Sequence, residues 1–200
     1  MGVKLVSSGG GSVEINPPAT ASNFVATMPA GTGTVSVNGV SSNIVSGTAV
    51  ASTSGTSIDF TGIPSWVKRI TVMFQGVSTS GTSQFLMQIG SGSFTTSGYL
   101  GGAGSIAGST ASATAGGTSG FLVGWAASVS TTSVRHGSTT LTLLNGNTWV
   151  CSGTFNFSDS SVASSVSGST ALGGTLDRVR ITTIGGTDTF DAGSINILYE

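Results

Sequence analysis

The sequence predicts an all-β chain, an antiparallel β-sandwich of jelly-roll type preceded by a short extended N-terminal β segment. Three observations carry that reading. Apolar side chains recur at every second position in Val13–Ile15, Ile70–Phe74, Leu141–Leu143, Phe155–Phe157, Val179–Ile181 and Ile195–Ile197, which is the period of a half-buried strand. The chain carries 32 glycines spread every few residues, and each glycine inside a helix would cost about 1 kcal/mol relative to alanine. Turn signals such as Ser80-Gly81, Gly101-Gly102, Gly116-Gly117, Asn145-Gly146, Gly173-Gly174 and Gly185-Gly186 punctuate the strands. Short strands so divided point to a sandwich rather than a parallel sheet with helical crossovers.

The elements follow in order. Residues 1–50 differ from the rest, because Pro17-Pro18 and Pro29 interrupt the chain and proline removes a ladder donor. Val13, Ile15, Phe24, Val25, Met28 and Val35 are too small an apolar set to offset about 1–2 kcal/mol of ordering entropy per residue. This segment is expected to be ordered by a partner or by sister chains, with a flexible junction over Ser41–Gly55. Residues 51–200 form the sandwich. Within it, Asn145-Gly146 supplies the positive φ that a two-residue type I′ turn requires, so Thr139–Leu144 is expected to pair with Asn147–Ser152. An internal echo supports this architecture: Val67–Val72 leads through a polar loop to Phe85–Ile89, and Asp177–Thr182 leads through another to Ile195–Leu198. Two copies fall short of the three or more units a solenoid needs, which disfavours a parallel β-helix.

Composition narrows the function. Only 6% of residues are charged, six Lys and Arg against seven Asp and Glu, while 38% are hydrophobic and the mean hydropathy is +0.33. A disordered linker would need lower hydrophobicity or higher charge, so the chain folds. With so few charges to keep surfaces apart, much of the folded surface is expected to be covered by other protein. A near-neutral chain lacks the basic field that drives phosphate binding, which argues against a nucleic-acid partner. The apolar patch at Val3–Val6 is too short for a signal-peptide core and no apolar run is long enough to span a bilayer, so neither a leader nor membrane insertion is expected. A single cysteine, Cys151, forms no internal disulfide and fits synthesis in a reducing cytoplasm.

Two stretches carry a resemblance. Ser12 to Val35, with an alternating strand, a Pro-Ala-Thr-Ala step, a second strand and a Pro-Ala-Gly-Thr turn, resembles a short repeat near the start of many bacteriophage tail fibres. The run from Gly55 through Ile58-Asp59-Phe60-Thr61-Gly62-Ile63-Pro64-Ser65-Trp66 to Gly90, together with Gly193–Glu200, resembles a group of phage and prophage tail-associated proteins. These stretches cover roughly a third of the chain. The resemblance implies a non-enzymatic virion structural protein: a short tail fibre or adaptor, or a capsid-bound decoration or head-fibre protein. It further implies a homotrimer, contact with other virion proteins, and attachment to the particle through Val13, Ile15, Phe24 and Met28.

His136 is the only imidazole a Ser-His-Asp system could use, and no serine carries a nucleophile signature, so it reads as a strand-end residue. The carboxylates Asp59, Asp159, Asp177, Asp188, Asp191 and Glu200 show no spacing that selects a glycosidase pair. Gly185–Gly193 resembles a calcium-binding turn but offers only Asp188 and Asp191, and reads as a solvated hairpin loop. No catalytic residue, metal or cofactor is expected. Trp66 in its proline turn could stack on a sugar ring and, with Tyr99, Trp125 or Trp149, build a platform for a host surface glycan. Against that stands the plainer reading, in which Trp66 closes one end of the sandwich and Lys68 and Arg69 face solvent or pair with carboxylates. Long polar loops at Tyr99–Gly117 and Ser158–Gly174 would frame a receptor site.

Overall fold

The computed structural model describes residues 3–6, 9–10, 12–15 and 44–200. The chain divides into two compact units, Met1–Ser41 and Ser42–Glu200. In the first, β1 (Val3–Val6) and β2 (Ser12–Ile15) pair antiparallel, with Val3 opposite Ile15 and Leu5 opposite Val13. Phe24 and Met28 lie outside the described residues.

The second unit is an antiparallel β-sandwich, and among the described residues there is no helix. Its strands are β3 (Val45–Ser46), β4 (Val50–Ala51), β5 (Ile58–Thr61), β6 (Arg69–Thr79), β7 (Phe85–Ser91), β8 (Ser93–Phe94), β9 (Leu100–Ala107), β10 (Thr110–Ala115), β11 (Phe121–Val123), β12 (Arg135–Asn145), β13 (Thr148–Phe157), β14 (Val162–Ala171), β15 (Arg178–Thr183) and β16 (Phe190–Tyr199). Nine strands form the larger sheet in the order β10-β9-β14-β13-β12-β6-β16-β3, with β4 also on β16. The smaller sheet runs β11-β7-β15-β5, with β8 also on β7.

The sequence echo has a structural meaning. Its first copy leaves the larger sheet as β6 and enters the smaller as β7; its second leaves the smaller as β15 and enters the larger as β16. β6 then pairs with β16 and β7 with β15, so the two copies lace the sheets together. Their connecting loops clasp: Ser80 N–H donates to the Thr189 carbonyl at 2.8 Å and Ile184 N–H to the Gln84 carbonyl at 2.9 Å. Between the sheets lie Ile70, Val72, Phe74, Leu141, Ile195 and Ile197 from one side and Phe85, Met87, Ile89, Val179 and Ile181 from the other. Each such side chain, fully buried, contributes about 1.5–3 kcal/mol. Edge-on aromatic contacts join Phe74 to Phe155 at 5.2 Å and Phe85 to Phe190 at 5.6 Å between ring centroids.

Three expectations change in detail. The Asn145-Gly146 hairpin forms, but Asn145 pairs with Thr148, so Gly146 and Asn147 occupy the turn and only Gly146, at φ 51°, is left-handed. A type I′ turn needs positive φ at both central positions and only one has it, and the strand register shifts between Leu143 and Asn145. The segment expected as a flexible junction contributes β3 and β4 to the edge of β16, and Ser52 is fully buried, its N–H on the Gly193 carbonyl at 2.9 Å and its hydroxyl on the Ala192 carbonyl at 2.8 Å. The sandwich therefore takes in residues before 51. The segments expected as long loops, Tyr99–Gly117 and Ser158–Gly174, hold β9, β10 and β14. Apart from Val166 their buried inward positions are small, among them Ala103, Ser105, Ser164 and Thr170, so backbone ladders rather than a continuous apolar stripe define them.

Charges sit where register needs them. Asp59 and Arg180 are direct cross-strand partners on β5 and β15, joined by two bonds of 2.7 and 2.6 Å. The pair is one-third exposed, and exposed ion pairs contribute about 0–1 kcal/mol. Asp59→Asn is accordingly expected to cost no more than about 1 kcal/mol in urea unfolding at low salt, and less at high salt; a loss above twice that would give the pair a larger structural role.

Candidate functional site

The three aromatic residues singled out for a glycan platform do not come together on the surface. Trp66 follows the Pro64 turn, closed by Val67 N–H on the Pro64 carbonyl at 3.1 Å, and is 44% exposed. Tyr99 and Trp125 are buried, as is Trp149, which corrects their assignment as ligand contacts. Tyr99 stands edge-on to Phe121 at 4.8 Å, and its hydroxyl accepts from Ile89 N–H at 2.8 Å and lies 3.0 Å from the Thr95 carbonyl. The reason lies in β7: β11 covers Phe85–Met87 and β8 covers Gly90–Ser91, leaving Ile89 between them without a strand partner on that side. The Tyr99 hydroxyl fills this gap in the ladder, and a buried N–H must have such a partner.

Tyr199, which the sequence reading did not single out, is the aromatic that meets Trp66. Their ring centroids are 5.8 Å apart with the planes tilted at 47°. Tyr199 also lines a cleft of about 320 Å³ with Thr48, Asp59 and Thr61. No local signal links the two aromatics. Trp66 precedes β6 and Tyr199 ends β16, and it is the pairing of these strands, with Tyr199 opposite Ile70, that brings the rings together.

The titratable groups are engaged locally. His136 Nδ1 accepts from Gly76 N–H at 3.2 Å, which puts the proton on Nε2, 3.3 Å from the Ser158 hydroxyl. A ring nitrogen that already carries a proton takes none from that serine, so this pair lacks the base a nucleophile needs. Asp177 receives Arg178 Nε at 2.7 Å and Gly92 N–H at 3.2 and 3.1 Å, and the Arg178 bond is the main reason its carboxyl is held below the usual value. Asp188 accepts from Ser83 N–H at 2.8 Å, Asp191 bonds the Ser78 hydroxyl, Asp159 accepts from Val134 N–H at 3.1 Å, and Glu200 pairs with Arg69. Among the described residues no group of three or more His, Cys, Asp or Glu could hold a metal ion. Cys151 is buried, and that burial pushes its thiol up to about 11, away from the reactive thiolate.

Arg135 is the unexpected buried charge. Only 1% exposed, it lies over the Phe85 ring at 3.9 Å and near the Phe157 ring at 5.0 Å, and its Nε donates to the Gly124 carbonyl at 2.9 Å. One terminal nitrogen has no partner. Burial lowers its pKa to about 10, with Asp159 opposing, so it stays cationic at neutral pH.

The outer face of the nine-stranded sheet carries few charges. Between Arg69 and Arg135 the sequence has no charged residue. One row of cross-strand neighbours on that face reads Leu198, Thr71, Thr140, Ser152, Ser167 and Gly102, all exposed or half-buried. Leu100, Ile106 and Val150 stand exposed on the same face. The ion pairs of Asp59, Asp177, Arg178 and Arg180 belong instead to the smaller sheet and its rim, while Arg69, on the same face of β6 as Thr71, pairs with Glu200 at the end of the nine-stranded face. Comparison with known protein families, curated proteins and solved structures gives no match to this chain.

Proposed function

We propose that the chain is a non-enzymatic structural protein of a bacteriophage particle, a short tail fibre or adaptor that self-associates through its sandwich and docks by its N-terminal segment. The observation that carries self-association is the sparsely charged outer face of the nine-stranded sheet, where Leu100, Ile106 and Val150 are exposed and the Arg69–Glu200 pair sits at the end of β6. Exposed apolar side chains on a sheet face with little charge to keep copies apart favour contact with other protein. The virion setting and trimeric order rest on the likeness of Ser12–Val35 and Gly55–Gly90 to tail proteins. Antibody raised against the chain should label the tail in electron micrographs of intact particles. Label on the capsid shell would favour a decoration or head-fibre protein, and particles without label would sink the reading.

A second reading is favoured by one observation, the exposed Trp66 against Tyr199. In it the chain holds a host surface glycan on that aromatic pair, beside the cleft with Asp59, Thr48 and Thr61. On a glycan array Trp66→Ala should then lose at least tenfold in binding signal, whereas Trp125→Ala, lying within the core, should leave sugar specificity unchanged in whatever fraction folds. Equal binding by the parent and Trp66→Ala, or none by either, removes this reading.

A further inference from the structure

We propose that β10 is a strand-addition edge that pairs antiparallel with β10 of a second copy of this chain. The inference rests on self-association and assigns it a place. Sheet edges are ordinarily blunted by shortness, charge, proline or bulges, because an exposed row of unpaired N–H and C=O groups templates further pairing. The other outer strands obey this by shortness: β3, β4 and β8 have two residues, β11 three and β5 four. β10 has six, Thr110–Ala115, without charge, proline or register shift, and pairs only with β9 among the described residues.

Its sequence points to the occupant. Thr110-Ala111-Ser112-Ala113-Thr114 reads identically in both directions about Ser112. A two-fold axis through Ser112 would set Thr110 opposite Thr114 and Ala111 opposite Ala113. Threonines and Ser112 would then share one face and alanines the other, with no like charges opposed. Thr110, Ala111, Ala113 and Ala115 are exposed, while Ser112 and Thr114, facing the inner side of the sheet, are half-buried. The contact is isologous and closes on itself, so it gives dimers, or pairs of trimers where a three-fold contact is made elsewhere.

Sedimentation equilibrium of the full chain at micromolar concentration tests this with two double variants, Ala111→Lys with Ala113→Lys, and Ala111→Glu with Ala113→Glu. Both positions are exposed, so folding should survive, checked by an unchanged circular dichroism spectrum. Wild type should have a mass that is an even multiple of the chain, and each variant alone half of it, because the pairing sets like charges face to face. An equimolar mixture should restore the wild-type mass through Lys–Glu pairs. Monomeric wild type would overturn both this pairing and self-association. Assembled wild type whose mass is unchanged by the lysines, or variants that do not recombine, would overturn β10 pairing while leaving self-association in place.

Discussion

Arg135→Met should hold or raise the urea midpoint, whereas Arg135→Ala should lower stability by about 2–4 kcal/mol. The guanidinium occupies core space between Phe85 and Phe157 and has no carboxylate within hydrogen-bond reach. Removing it to alanine leaves a cavity against two aromatic rings. Methionine keeps most of the volume, sets its sulfur near the rings and removes the cost of a desolvated, unpaired charge. The Gly124 carbonyl loses its donor in both variants, a loss of about 1 kcal/mol that the relief of the buried charge offsets only in methionine. The site is built around the long stem as well: Gly124 has φ 55°, and a Cβ there would come within 2.8 Å of Arg135 Cδ. If Arg135→Met lost as much as Arg135→Ala, the hydrogen bond to Gly124 rather than packing would be what the position requires.

Tyr99→Phe should cost about 1–3 kcal/mol, the penalty for leaving a buried N–H without a partner, because Ile89 N–H has the Tyr99 hydroxyl at 2.8 Å and no strand on that side. Hydrogen exchange should report it locally, with Ile89 losing protection ahead of its β15 partner Val179. The same hydroxyl gives a pH signature. Burial raises Tyr99 from 10.0 to about 12 and Cys151 from 9.0 to about 11. For an acid whose folded pKa is raised, the unfolded chain loses its proton first, so the stability present below the unfolded pKa is lost as pH rises through the folded one. Stability should thus begin to fall near pH 9 through Cys151 and further from pH 10 through Tyr99. Arg135 acts in the opposite sense from about pH 10, since it sheds its proton more readily when folded. Cys151→Ala should remove the fall that begins near pH 9 in denaturation series, Tyr99 and Arg135 opposing each other above pH 10; an unmoved onset would show that another group governs it.

Much of the sandwich was readable because its core strands alternate with large side chains. Ile70, Val72 and Phe74 announce β6, and Ile195 and Ile197 announce β16, since period two maps directly onto a buried face. β9, β10 and β14 carry the same alternation with mostly Ala, Ser and Thr inside, Val166 standing alone, and small polar residues give little contrast between faces. They therefore looked like loops. Tyr99 and Trp125 were misplaced for a related reason: an aromatic with a polar handle suits a binding surface and a buried ladder gap equally well. Trp66 with Tyr199, and Arg135 over Phe85, join residues far apart in the chain, which no local spacing can encode.

By itself the sequence determined the all-β class, the Asn145-Gly146 hairpin, the two echoing strand–loop–strand units and the scarcity of charge. These follow from side-chain period, backbone freedom at glycine and composition, all of them local or additive. Only the tertiary structure decided which face that neutrality occupies, which aromatics are core, and that β10 is left as a long open edge. Those outcomes depend on which strands become neighbours, and strand order comes from closing a common core across the whole chain.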